Sequence, residues 1–152
     1  MKSAIVGLLS AAVLLTAAGP ASAANLGGST QDPDGQDAGR ITLKTKVRQG
    51  ALNVYSISLT GVPVTCDDGG QLSVERLHTD IRAKIKVRRR GARYRFSAQN
   101  LKGSPDGTYR ISGFINRSGT AVYRGVISGD GITDGADMRC SLQTSFSASR
   151  GG

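Results

Sequence analysis

The chain has no Trp, one His, two Cys and four Pro in 152 residues. A structural zinc centre needs four nitrogen or sulfur ligands, and one imidazole with two thiols cannot supply them within one chain. No C-x-x-C redox pair, G-x-S-x-G nucleophile elbow, heptad repeat or collagen period occurs. After residue 18 there is no long apolar run. Against these absences stand 21 Gly and 20 Lys plus Arg set against 11 Asp plus Glu. The glycine excess favours turns over long helices, and the length suggests one domain.

The N-terminus carries a compartment signal. Lys2 precedes an apolar run from Ala4 to Ala18, then come Gly19-Pro20 and the small triplet Ala21-Ser22-Ala23. These are the three regions of a secretory signal peptide, with cleavage expected after Ala23. The run falls short of the roughly 20 residues of a bilayer span, so the expected product has no transmembrane segment or lipid anchor. It is expected to be secreted, extracellular and associated with the cell wall. Residues 24–152 then hold 19 basic and 11 acidic side chains, a net charge of +8. Cys66 and Cys140 pass into an oxidising compartment, where an even count predicts a disulfide.

Residues 24–39, ANLGGSTQDPDGQDAG, hold few apolar side chains and predict a flexible polar leader. From Arg40 the pattern changes to period two: Ile41, Leu43, Thr45 and Val47 alternate with Thr42, Lys44, Lys46 and Arg48. Helical spacing is sustained nowhere after the signal sequence. Further strand candidates lie near 52–60, 62–66, 71–87, 92–99, 108–116, 121–128 and 138–148. Turn clusters separate them at Asp67–Gly70, Ser104–Gly107 and Asn116–Gly119. A change of apolar parity between Val74 and Leu77 calls for a bend at Glu75 and Arg76. The expected fold over residues 40–152 is all-β, a single antiparallel sandwich or barrel of seven to eight strands with one disulfide. The last strand should bury Cys140, Leu142, Thr144, Phe146 and Ala148 on one face.

Catalytic and metal-binding candidates are weak. His78 with Asp80 lacks a nucleophile motif, and Asp67, Asp68 and Glu75 form no recognisable acid pair. No catalytic residues and no enzyme activity are expected. The loops Asp32, Asp34, Asp37 and Asp130, Asp134, Asp137 concentrate the oxygen donors that calcium prefers, but neither fits the EF-hand loop. Solvated acidic loops account for both, so no metal or cofactor is expected. Asn116-Arg117-Ser118 matches a glycosylation sequon, a motif of low specificity.

The run from Arg82 to Arg95 stands above this background. Arg82, Lys84, Lys86, Arg88, Arg89, Arg90, Arg93 and Arg95 occur in it without one acid, alternating with apolar residues over much of its length. The pattern predicts a hairpin turning at Arg90-Gly91, with Val87 facing Tyr94, Ile85 facing Phe96 and Ala83 facing Ala98 inside. Outside, Arg88 would oppose Arg93 and Lys86 would oppose Arg95, although opposed like charges are destabilising. Arg82, Lys84, Lys86, Arg88, Arg93 and Arg95 are therefore the candidate anion-binding residues. The expected partner is an anionic polysaccharide or cell-wall polymer, bound by a monomer. The alternatives are charges that only protect a strand edge and solubility, a purely structural or protein-interaction domain, and, ranked last, a cryptic hydrolase. The few aromatic residues are expected in the core, so no sequence-specific nucleic-acid partner is predicted.

The strand LKTKVRQG, the mid-chain Cys-Asp-Asp-Gly turn, the paired strands TYRISGFINRSGTAVYRG and the late Cys before an alternating Ser, Thr and Phe strand form a recognisable frame. Over roughly residues 40–150 it resembles small secreted all-β single-disulfide proteins of actinobacteria, which are largely uncharacterised. The resemblance implies a sandwich-like fold with one disulfide, and it implies no activity.

Overall fold

The computed structural model describes residues 23–67, 77–133 and 138–151. Nearly all of the expected signal sequence, most of the Asp67–Gly70 turn, the expected bend at Glu75 and Arg76, and Asp134 and Asp137 lie outside the described residues. Those that are described form ten strands and no helix: β1 (Ala24–Gln31), β2 (Asp37–Arg48), β3 (Ala51–Val62), β4 (Thr65–Cys66), β5 (Leu77–Lys86), β6 (Arg88–Arg90), β7 (Arg93–Ser104), β8 (Asp106–Ile115), β9 (Ala121–Thr133) and β10 (Cys140–Ser149). Among them, therefore, no helix is long and apolar enough to cross a membrane.

Eight strands close into an antiparallel barrel in the order β1-β2-β3-β5-β7-β8-β9-β10, with β1 pairing back onto β10. The short strands β4 and β6 are added on β10 and β7. Of the two arrangements open from the sequence, sandwich or barrel, the chain adopts the barrel. Eight strands leave an interior that side chains alone can fill. Alternation places Ile41, Leu43 and Thr45 inside on β2 and Cys140, Leu142, Thr144, Phe146 and Ala148 inside on β10, as their period-two spacing requires.

Residues 24–39 are not a flexible leader. Residues 24–31 form β1, paired along its length with β2 and closing the barrel against β10. Their low apolar content misleads because this strand buries only Ala24, Leu26 and Thr30 and is held mainly by ladders on both edges. Gly28 permits the closure: a Cβ there would collide with the Ser147 carbonyl oxygen of β10. Asp32 folds the β1–β2 turn, its Oδ1 accepting from the Asp34 and Gln36 amides at 3.0 and 2.8 Å.

Three aromatic rings fill much of the interior, each opposite a glycine. Phe96 pairs with Gly113, Tyr109 with Gly129, and Phe146 with Gly125. A Cβ at any of these glycines would overlap the facing ring. Large and small residues thus alternate across the ladders, which is how a narrow barrel reaches native density. Burial pushes the Tyr109 phenol above its ordinary pKa, and its hydroxyl donates to the Pro105 carbonyl at 2.9 Å. Cys66 and Cys140 are Cα partners joined by a disulfide, which ties β4 to β10 across a sequence separation of 74.

Candidate functional site

The basic run occupies β5, β6 and the start of β7. Arg82, Lys84, Lys86, Arg88, Arg93 and Arg95 are all exposed, while Ile81, Ile85, Val87 and Phe96 between them are buried. The alternation therefore puts the cations on the outer wall of the barrel.

The hairpin register differs from the sequence expectation. The turn is Gly91-Ala92 rather than Arg90-Gly91, so Arg90 faces Arg93, Arg89 faces Tyr94 and Arg88 faces Arg95. Lys86 pairs with Asn53 of β3 instead of Arg95. The cause lies in turn chemistry. A two-residue loop of Arg90 and Gly91 in type I′ would force Arg90 to positive φ, whereas a type II′ loop needs only its first residue there. Gly91 takes that first place with φ of 58°. The inward pairs Val87–Tyr94, Ile85–Phe96 and Ala83–Ala98 are lost with the shift, but arginine still faces arginine.

A second feature lies outside any alternation pattern. β5 pairs with β7 only at Asp80–Ser104 and Ile81–Gly103, and β6 resumes pairing at Arg88–Arg95. Between these points β5 stays bonded to β3, where the Val87 amide donates to the Leu52 carbonyl at 2.9 Å. β7 stays bonded to β8 through a bulge between Ala98 and Leu101, with Asn100 at φ 57°. The seam parts and leaves a concavity of about 460 Å³, whose charged lining is Lys84, Lys86, Arg88, Arg90 and Arg95. Ser97, Ala98 and Ile85 complete its wall.

The structure thus gathers four of the six predicted residues, Lys84, Lys86, Arg88 and Arg95, and adds Arg90. Arg82 lies in a neighbouring depression with Lys44, Asp80 and Lys102. Arg93 turns the other way, its guanidinium carbon 5.5 Å from the centroid of the Phe114 ring. Phe114 in turn stacks on Tyr123, with centroids 5.8 Å apart and planes at 15°. The expectation that the aromatic residues belong to the core fails for this pair: Phe114 is half-buried and Tyr123 exposed on the outer wall. The signal was present in β8, where Phe114 shares parity with Arg110 and Ser112 while Tyr109, Ile111 and Ile115 point inward.

The other candidates have local explanations. His78 sits on β5 opposite Thr60. Asp130 pairs with Thr108, its two proposed calcium partners lie outside the described residues, and among the described residues no group of three or more His, Cys, Asp or Glu could hold a metal ion. Asn116 is engaged in its own turn, its Oδ1 accepting from the Thr120 and Ala121 amides at 2.8 and 3.1 Å. Comparison of the chain with protein-family models, curated proteins and solved structures finds no match.

Proposed function

We propose that this protein is a secreted, noncatalytic β-barrel that binds anionic extracellular polymers, such as acidic or cell-wall polysaccharides, through the basic concavity between β5 and β7. The observation that carries this reading is the parted seam itself, which brings Lys84, Lys86, Arg88, Arg90 and Arg95 around one hollow. Clustered cations on a low-dielectric wall focus the field outward and raise the local concentration of anions. Solubility or edge protection accounts for less. Among the described residues the free edges are short, on β4, on β6 and along the parted stretches of β5 and β7. Edge protection asks only for charge along a free strand, whereas here cations from β5, β6 and β7 converge on one hollow. The signal sequence, the disulfide and the resemblance to small actinobacterial secreted proteins agree with an extracellular setting.

Retention on immobilised polygalacturonate across a salt series tests this reading. Attachment through exposed charges weakens steeply as the screening length shortens from about 10 Å at 0.1 M salt. Retention that is absent at low salt would contradict it.

A further inference from the structure

Arg88, Arg95, Phe114 and Tyr123 are successive Cα partners across β6, β7, β8 and β9. One register row on the outer wall therefore carries two guanidinium groups followed by two aromatic rings. At the usual interstrand spacing the row is about 14 Å long. The flanks of Phe114 are both occupied, by Arg93 from the β7 side and by Tyr123 from the β9 side. Tyr123 is the end of the stack and remains 38 % exposed. Packing against Phe114 explains one side of Tyr123 as a cross-strand pair. It does not explain why the row continues from paired arginines directly into rings on the outer wall.

Cations alone select for charge and hold any polyanion. A row of cations leading to an open aromatic ring selects for a chain whose repeating units are themselves rings bearing acid groups. We propose that the polymer is an acidic polysaccharide of the polyuronate type, with carboxylates on Arg88 and Arg95 and a sugar ring packed on Tyr123. This inference rests on the polymer-binding reading and narrows it. A polyphosphate chain offers no ring face for Tyr123 to pack against. Single-stranded nucleic acid offers both charge and rings, but its binding sites stack successive bases on successive aromatic side chains. Here Tyr123 ends a stack whose other ring is already flanked on both sides.

The test compares affinity of the full secreted chain for polygalacturonate, inorganic polyphosphate and poly(dT) at one ionic strength. Tyr123→Ala should weaken polygalacturonate binding by about 3- to 10-fold, the scale of one lost ring contact. Polyphosphate binding should be unchanged, and Tyr123→Phe should bind polygalacturonate as the parent does. Tyr123→Leu keeps an apolar neighbour for Phe114 without a ring, so it should show the same roughly 3- to 10-fold loss and decides the test should the alanine variant fold poorly. Equal losses for polygalacturonate and polyphosphate, or no loss for either, would overturn the ring contact while leaving the basic concavity in place. A Tyr123-dependent affinity for poly(dT) without one for polygalacturonate would overturn it in favour of nucleic acid. Failure of the broader reading shows separately, as affinity for all three polymers that survives reversal of Arg88 and Arg90.

Discussion

Arg88 and Arg95 are Cα partners across the β6–β7 ladder, and no carboxylate occurs between residues 82 and 95 to separate them. Two steps along, Arg90 and Arg93 repeat the arrangement. Each directly opposed like-charge pair costs a fraction of about 1 kcal/mol in a sheet. A threonine or glutamate at either position would remove that cost without disturbing the turn, because Gly91 alone meets its backbone requirement. Three of these four cations, Arg88, Arg90 and Arg95, line the hollow, where an anion would convert repulsion into attraction.

The closing role of β1 gives a stability prediction. Leu26 is fully buried and pairs with Leu43, so Leu26→Ala should cost about 2–5 kcal/mol in urea unfolding. Were residues 24–31 a flexible leader, the midpoint would not move.

The interior glycines should be as sensitive as the large residues. In Gly125→Ala the new methyl would overlap the Phe146 ring, which is itself buried in the barrel. A loss of about 1–3 kcal/mol is expected from such overpacking, again by urea unfolding.

Alkaline pH should destabilise the fold through Tyr109. Burial raises its pKa above the ordinary value of 10.0, so the folded state favours the neutral phenol. That contribution is complete below about pH 10 and declines as pH rises through the higher folded pKa. The urea midpoint of the parent should therefore fall more steeply above pH 10 than that of Tyr109→Phe. At neutral pH the variant should lose only about 0.5–1.5 kcal/mol, for the bond to Pro105. Parallel pH profiles for the two proteins would show that Tyr109 carries no such linkage.

Much of this was legible in the residues. Period-two spacing gave β2 and β10, paired cysteines gave the disulfide, and the acid-free run from Arg82 to Arg95 gave the charged face. β1 was hidden because its stabilisation comes from backbone ladders and the close crossing at Gly28, which leave little apolar signature. The hairpin slipped by two residues because Gly91 suits the first place of one turn type and the second of another. The hollow between β5 and β7 depends on strand pairs that fail to form, and no local pattern encodes that. Phe114 was readable from its parity but was assigned by residue type.

The central claim is tested most directly by reversing Arg88 and Arg90 together and measuring elution from immobilised polygalacturonate across a salt gradient. Arg88→Glu with Arg90→Glu turns both like-charge pairs, with Arg95 and Arg93, into opposite-charge pairs, so the thermal midpoint should hold or rise slightly. Elution should shift to markedly lower salt, because the hollow then carries two carboxylates among its remaining cations. Elution at the parent's salt concentration, with the thermal midpoint preserved, would contradict the account.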